Sequence, residues 1–153
     1  MSERAIAVRV LAEVTFGLRQ DVLGRQPTPG EISAKDRESD DGHFAVYDDG
    51  WVVATGVVMK RAAPLGLTTG GAWHLLGMAV DQRFRRRGLG SAVLAAALGH
   101  VADHGGGLVW CHARAHAMDL YRRHGFVEGQ HRIEDPVGGT QVFMTNRIEP
   151  AGH

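Results

Sequence analysis

A mixed α/β fold is what this sequence predicts, and three observations predict it. β-branched and aromatic runs alternate with segments of helical period, so strands and helices interleave along the chain. Asp48-Asp49-Gly50 separates two apolar β-forming runs, which is a strong hairpin signal. Glycines close the helical segments at Gly24, Gly105 and Gly125, where a left-handed residue ends a helix most cheaply.

Each element has its own local reason. Residues 6–10 form a short β-branched run and predict a first strand. Leu11, Val14, Leu18 and Val22 recur at helical spacing, fit one helical face and predict a helix over 11–23. Residues 26–42 are polar and rich in Asp, Pro and Gly, and read as a loop or lid. Residues 44–47 and 51–59 are the arms of the hairpin. Residues 73–80 predict a mostly buried strand, and Gly77 inside it marks a bulge or the close approach of another backbone or ligand. Leu89, Val93, Ala97 and Val101 recur every four residues and predict a helix over 88–104. A strand at 108–112, a helix at 114–124, strand-like pieces from Phe126 and a last strand at 140–144 complete the order.

Composition narrows the class of function. The chain has 153 residues, with 17 Lys+Arg against 17 Asp+Glu and 44% hydrophobic residues. That length suits one domain, 1–153, and the composition is that of a folded globular protein. No apolar stretch reaches the roughly 20 residues that span a bilayer. The start does not read as a secretory signal, and a lone Cys111 forms no internal disulfide. A cytoplasmic protein without membrane contact is the expectation. Zero net charge and the lack of interleaved aromatics argue against nucleic-acid binding through Arg83–Arg87.

One segment breaks a local rule. Arg83, Arg85, Arg86 and Arg87 crowd the start of a helix, an end that already carries partial positive charge and unpaired N–H groups. An anion on the turn resolves the conflict, with Gly88 and Gly90 allowing close backbone approach. The segment lacks the third glycine of the dinucleotide fingerprint and the Gly-Lys-Ser/Thr of a P-loop. NAD, ATP and GTP are therefore disfavoured.

Arg85-Arg86-Arg87-Gly88-Leu89-Gly90 resembles the signature of the GNAT superfamily of N-acetyltransferases, Gln/Arg-x-x-Gly-x-Gly/Ala. Ala117-Met-Asp-Leu-Tyr121-Arg-Arg-His-Gly125-Phe126 is similar to a second block of that family, Ala-x-x-x-Tyr-x-x-x-Gly-Phe. The resemblance implies about seven mixed strands, helices on both faces and a splay between the fourth and fifth strands. It implies a coenzyme A core over 73–126 and substrate-side elements over 11–42. It implies acetyl-CoA as co-substrate, its pyrophosphate at the turn formed by Arg85, Arg86, Arg87, Gly88, Leu89, Gly90 and Ser91. The pantetheine arm would pair with backbone at Met78, Ala79 and Val80 in the manner of an added strand. Many relatives pair through C-terminal strands, so a homodimer is the assembly this allows.

The implied reaction transfers acetyl to a small-molecule or protein amine by direct attack in a ternary complex. Taken alone, Tyr121 reads as an aromatic filling the core; within the second block it reads as the general acid for the departing thiolate. The family's glutamate base on the fourth strand is missing, and His74 is the titratable side chain there. His43, His112, His116 or a water relay are alternatives. Asp36, Asp40 and Asp41 are candidates to hold a cationic substrate. The family often has Asn where this chain has Arg114, so no helper role is assigned there. The four-residue spacings His100/His104 and His112/His116 lack the glutamate of a zinc helix, so no metal is expected. Cys111 reads as a buried, inert thiol. A non-catalytic acyl-CoA sensor of the same fold is the alternative function.

Overall fold

The computed structural model describes residues 5–24 and 40–152. The strands are β1 (Val8–Arg9), β2 (Gly42–Asp48), β3 (Trp51–Lys60), β4 (Trp73–Val80), β5 (Gly107–Arg114), β6 (Val127–Asp135) and β7 (Gly139–Ile148). The helices are α1 (Ala12–Leu23), α2 (Leu89–Asp103) and α3 (Met118–Arg123), with short 3₁₀ turns at Pro64–Gly66, Gln82–Phe84 and Ala115–Ala117. The seven strands form one sheet in the order β1-β2-β3-β4-β5-β7-β6. The mixed α/β class is as the alternation predicts. Most of the predicted lid, Asp36 included, lies outside the described residues. Among the described residues no helix is long and apolar enough to cross a membrane.

The hairpin behaves as its turn residues require. Asp49 and Gly50 both take positive φ, 49° and 82°, the pattern of a type I′ turn whose twist matches that of the strands. The first strand is shorter than predicted, two residues paired with Ala45 and Phe44. The last is longer, because β7 continues along the whole of β5.

The centre of the sheet is where regularity fails. β3 and β4 are antiparallel, but their register shifts between Thr55 and Val57, opposite Gly77 at φ 65°. β4 and β5 are parallel and pair only at Trp73↔Val109 and His74↔Trp110. Beyond His74 the two strands part, and among the described residues the β5-facing edge of β4 has no strand partner. A bulge re-aims the chain and increases local twist, which is how one strand comes to pair at one end and diverge at the other.

Helix α2 holds one face of the sheet. Its Val93, Leu94, Ala97 and Val101 are fully buried, as their spacing predicts, the valines and the leucine each worth about 1.5–3 kcal/mol. Gly56 makes the close approach possible: a Cβ there would fall 2.4 Å from Cγ1 of Val93 and 2.7 Å from Sδ of Met78.

Helix α1 buries a face whose middle is polar. Leu11 is 73% exposed and Val14, Leu18 and Val22 are half-buried, whereas Thr15 and Arg19 are the buried side chains. The apolar residues form one broad arc with Thr15 and Arg19 at its middle and Glu13, Gln20 and Asp21 opposite, so the predicted spacing marks one flank of the buried side. Arg19 lies against the β4 bulge at Gly77. The predicted helix at 114–124 is likewise divided into a 3₁₀ turn and the six-residue α3.

Candidate active site

The divergence of β4 and β5 opens a cavity of about 410 Å³. Leu75, Leu76, Gly77 and Met78 form its β4 wall, with His74 at the point of divergence. Tyr121 of α3, His112 and Arg114 of β5, and Arg19 of α1 close it. Candidates scattered over the sequence thus meet at one place, because a splayed parallel pair leaves a crevice at the strand ends where side chains from several elements converge.

Helix α2 begins at the arginine-rich turn that follows β4, the strand that walls the cavity. Gly88 is its N-cap, left-handed at φ 77°, and no side chain caps the helix. Arg86 is also left-handed, at φ 65°. Alternating hands along such a turn aim successive N–H groups into one concavity, which suits an anion. No acidic residue occupies the first turn. Arg83 is committed elsewhere: it pairs with Asp81 at 3.1 Å and holds that carboxyl below its usual range. Arg85 and Arg86 make no ion pair among the described residues, and Arg87 lies 5.1 Å over the Phe84 ring. The cationic excess read from sequence is therefore real in three dimensions and reduced from four arginines to three.

The two glycines do different work. Gly88 has open space where a Cβ would point, so its need is conformational. A Cβ on Gly90 would lie 3.2 Å from Cδ2 of Leu120, so Gly90 lets α3 sit close to the turn. The Ser91 side chain is tied within the protein: its Oγ is 2.6 Å from Nε2 of His124, which links α2 to the end of α3.

Tyr121 is 6% exposed and packs against Phe126 at 5.5 Å between ring centroids. Burial, and next the neighbouring Cys111, push its pKa well above the usual phenol value, with Arg114 opposing. The phenol therefore stays protonated at any working pH. Cys111 is buried and its thiol is pushed up to about 12 by burial alone. A thiol so held is a poor covalent nucleophile, since the thiolate is the reactive form.

His74 lines the cavity with its ring stacked flat on Trp110, 3.8 Å between centroids and 1° between planes. Burial, with smaller contributions from Arg61 and His112, lowers its pKa to about 3. Such an imidazole is neutral at pH 7 but binds a proton too weakly to be an efficient base. His112 also lines the cavity, and burial followed by His131 lowers its pKa. His116 stands beside them on the 3₁₀ turn before α3. His43 is buried in β2 and is not among the lining side chains. Neither are Asp40 and Asp41: Asp40 pairs with Lys60 at 3.7 Å, and the Asp41 carbonyl accepts from Arg9. The Ala79 and Val80 side chains also fall outside the cavity, Val80 instead abutting the start of α2.

Sequence reasoning missed Arg19, Asp135 and Gln141 as wall residues. Arg19 is the most consequential. It is 5% exposed, donates through Nη1 to Thr15 Oγ1 at 3.3 Å, and lies against the bulge at Gly77. A Thr and an Arg one turn apart on a helix carry no flag in sequence. Arg114 is a brace: its Nη2 donates to the Leu23 carbonyl at 3.2 Å, joining β5 to the end of α1.

Comparisons with known proteins agree with this geometry. The family model described as Acetyltransferase (GNAT) family matches residues 13–126. The chain is 26% identical over 136 residues to a protein of Bacillus subtilis (strain 168) described as uncharacterized N-acetyltransferase YitI, covering 88% of this chain and 91% of that one. Its fold is similar to that of the ribosomal-protein-S18-alanine N-acetyltransferase from Escherichia coli, with TM-score 0.72 and 19% identity over 98% and 97% of the two chains. It is also similar to an aminoglycoside 6′-N-acetyltransferase solved with coenzyme A, with TM-score 0.70 and 13% identity over 97% and 99%.

Proposed function

From a chain that belongs to the GNAT acetyltransferase family, we propose transfer of an acetyl group from acetyl-CoA to a primary amine by direct attack within a ternary complex. The observation that carries this reading is that one strand, β4, walls a cavity opened by its divergence from β5 and runs on into an uncapped, arginine-flanked helix start. The first suits a diphosphate and the second suits a thioester arm with its acceptor.

The residues present fit coenzyme A. Arg85, Arg86 and Arg87 supply charge, and the backbone of Gly88, Leu89, Gly90 and Ser91 supplies N–H donors for the pyrophosphate. The free edge of β4 at Met78, Ala79 and Val80 offers backbone groups for the pantetheine amides. When bound, the thioester brings an activated acetyl carbon to the bulge. Backbone N–H groups at the Gly77 bulge are the donors for the charge that develops on the carbonyl oxygen, held in place beforehand by the strand.

In the overall step an N–C bond forms, the C–S bond breaks, the amine loses a proton and the sulfur gains one. Tyr121 is the donor to sulfur and regains its proton from water. Its high pKa keeps it a hydrogen-bond donor until negative charge accumulates beside it. The amine proton leaves through water; neutral His74 and His112 line that route and order it, and the low proton affinity of His74 makes it a poor base. Proximity supplies much of the remaining acceleration.

The test is acetyl-CoA-dependent thiol release across a panel of amines, with thermal unfolding alongside. Acetyl-CoA raises the melting temperature, and ATP and NAD do not. No shift at millimolar acetyl-CoA sinks the reading.

A further inference from the structure

Two imidazoles on the cavity wall lack what buried polar groups ordinarily have. His74 of β4 and His112 of β5 both line it, and among the described residues neither ring makes a hydrogen bond. Nδ1 of His74 and Nε2 of His112 are sealed from solvent. Aromatic rings pack on both. His74 lies flat on Trp110, and His112 stands 5.6 Å from Trp110 and 5.7 Å from Phe143 between centroids. Trp110 cannot serve them, because its indole N–H donates to the Arg61 carbonyl at 2.7 Å. Arg19, Arg114 and Asp135 share the wall, and each is held by partners within the protein. Buried polar groups are normally bonded, so two such orphans in one wall require a cause.

The sealed nitrogens identify the tautomers. A neutral imidazole has one N–H and one bare nitrogen. A buried N–H without an acceptor is rarer than a buried lone pair without a donor. The sealed nitrogen of each ring is therefore the bare one. The proton then sits on Nε2 of His74 and on Nδ1 of His112, the nitrogens left to meet a bound molecule. Burial, with smaller contributions from Arg61 and His112, lowers the pKa of His74 to about 3, and burial followed by His131 lowers that of His112. Both rings thus stay neutral at pH 7 and offer N–H donors without charge. They lie close enough to act on each other electrostatically.

A carbonyl oxygen has two lone pairs and accepts from two donors. An uncharged amide oxygen leaves water for such donors at far less cost than a carboxylate, which needs a charged partner. We propose that the acceptor is an amine carrying an uncharged carbonyl group of the amide class, its oxygen held by Nε2–H of His74 and Nδ1–H of His112. This rests on the acetyl-transfer reading above. His74 stands where β4 leaves β5, and Gly77 lies at the bulge further along the strand. A carbonyl held at His74 leaves the amine directed along β4 toward the reacting centre.

The experiment uses the full chain, with coenzyme A for calorimetry and acetyl-CoA for thiol release. β-Alaninamide and phenylalaninamide are compared with isopentylamine and phenethylamine, which lack the carbonyl, and with β-alanine and phenylalanine, which carry a carboxylate. The amides bind and react at least tenfold better than either. Phenylalanylglycinamide tells a peptide carbonyl from that of a small amide, and preference for either source supports the proposal. A glutamine amide nitrogen reaches the place of Nε2, and an asparagine one that of Nδ1. His74→Gln and His112→Asn therefore keep the preference, whereas His74→Asn and His112→Gln lose it. A preference that survives in the latter two overturns the proposal. NMR of the imidazole nitrogens in the unaltered protein reads the tautomers directly, and the opposite tautomer on either ring overturns it too. If plain amines or carboxylates bind as well as the amides, the proposal falls while acetyl transfer stands. If amides bind selectively but acetyl-CoA is not consumed, the acetyl-transfer reading fails and the carbonyl site stands.

Discussion

The guanidinium of Arg19 occupies the space that a side chain at Gly77 would need, 2.6 Å from Nε to the position of a Cβ. On the other side, Thr55 Oγ1 donates to the Gly77 carbonyl at 2.9 Å. The bulge where β4 diverges from β5 is thus gripped between a helix and the neighbouring strand.

Gly77→Ala is expected to cost about 2–3 kcal/mol, roughly 1–2 from left-handed backbone strain and the rest from overlap with Arg19. In a double-mutant cycle with Arg19→Ala, the overlap portion disappears and the strain remains. Urea unfolding of the four proteins measures this, and purely additive effects refute the contact.

Tyr121→Phe keeps the ring and its packing on Phe126. Turnover is expected to fall about 100-fold, in the range usual for a lost general acid, with acetyl-CoA affinity within about threefold. Steady-state kinetics and calorimetry separate the two. A matching loss of affinity with kcat intact assigns Tyr121 to binding.

Replacing Arg86 and Arg87 by Ala is expected to weaken acetyl-CoA binding about tenfold or more and to flatten its salt dependence. The unliganded protein keeps its melting temperature or gains slightly, since cations beside a helix N-terminus are unfavourable by a few tenths of a kcal/mol. Loss of stability without loss of affinity contradicts the phosphate assignment.

Stability is expected to fall with acid. His74 is held near pKa 3 in the fold against about 6.5 unfolded, so the unfolded chain takes up the proton first. Its contribution is complete above pH 6.5 and is lost as pH falls from there toward 3, by up to about 1.4 kcal/mol per pH unit. His100, His112 and His124 are lowered too, each chiefly by burial, and steepen the slope. His74→Phe retains an aromatic surface for Trp110 and reduces the loss between pH 7.5 and 5 by about 2 kcal/mol. Denaturant titrations at the two pH values check it.

Cys111→Ala is expected to retain turnover, and no acetyl-enzyme accumulates when acetyl-CoA is supplied without acceptor. Intact-protein mass spectrometry decides this. An adduct of one acetyl group that vanishes in the variant establishes a covalent route.

Much of the proposed phosphate end was legible along the chain. Arg85–Gly90 is contiguous, and its charge conflict with the following helix is a local property. The cavity walls were not. His74, His112, Tyr121 and Arg19 come from four elements, and sequence spacing says nothing about which side chains a splayed strand pair gathers. His74 shows the difference well: its identity made it a base candidate, and its environment against Trp110 made it a neutral wall.

By itself the sequence determined the interleaved strands and helices, the hairpin turn at Asp49-Gly50 and the cationic helix start, because each follows from neighbours within a few residues. The tertiary structure decided which face of α1 is buried, where β4 leaves β5, and that Arg19 stands at Gly77. Those depend on surfaces meeting across long stretches of chain, where packing and desolvation outweigh local preference.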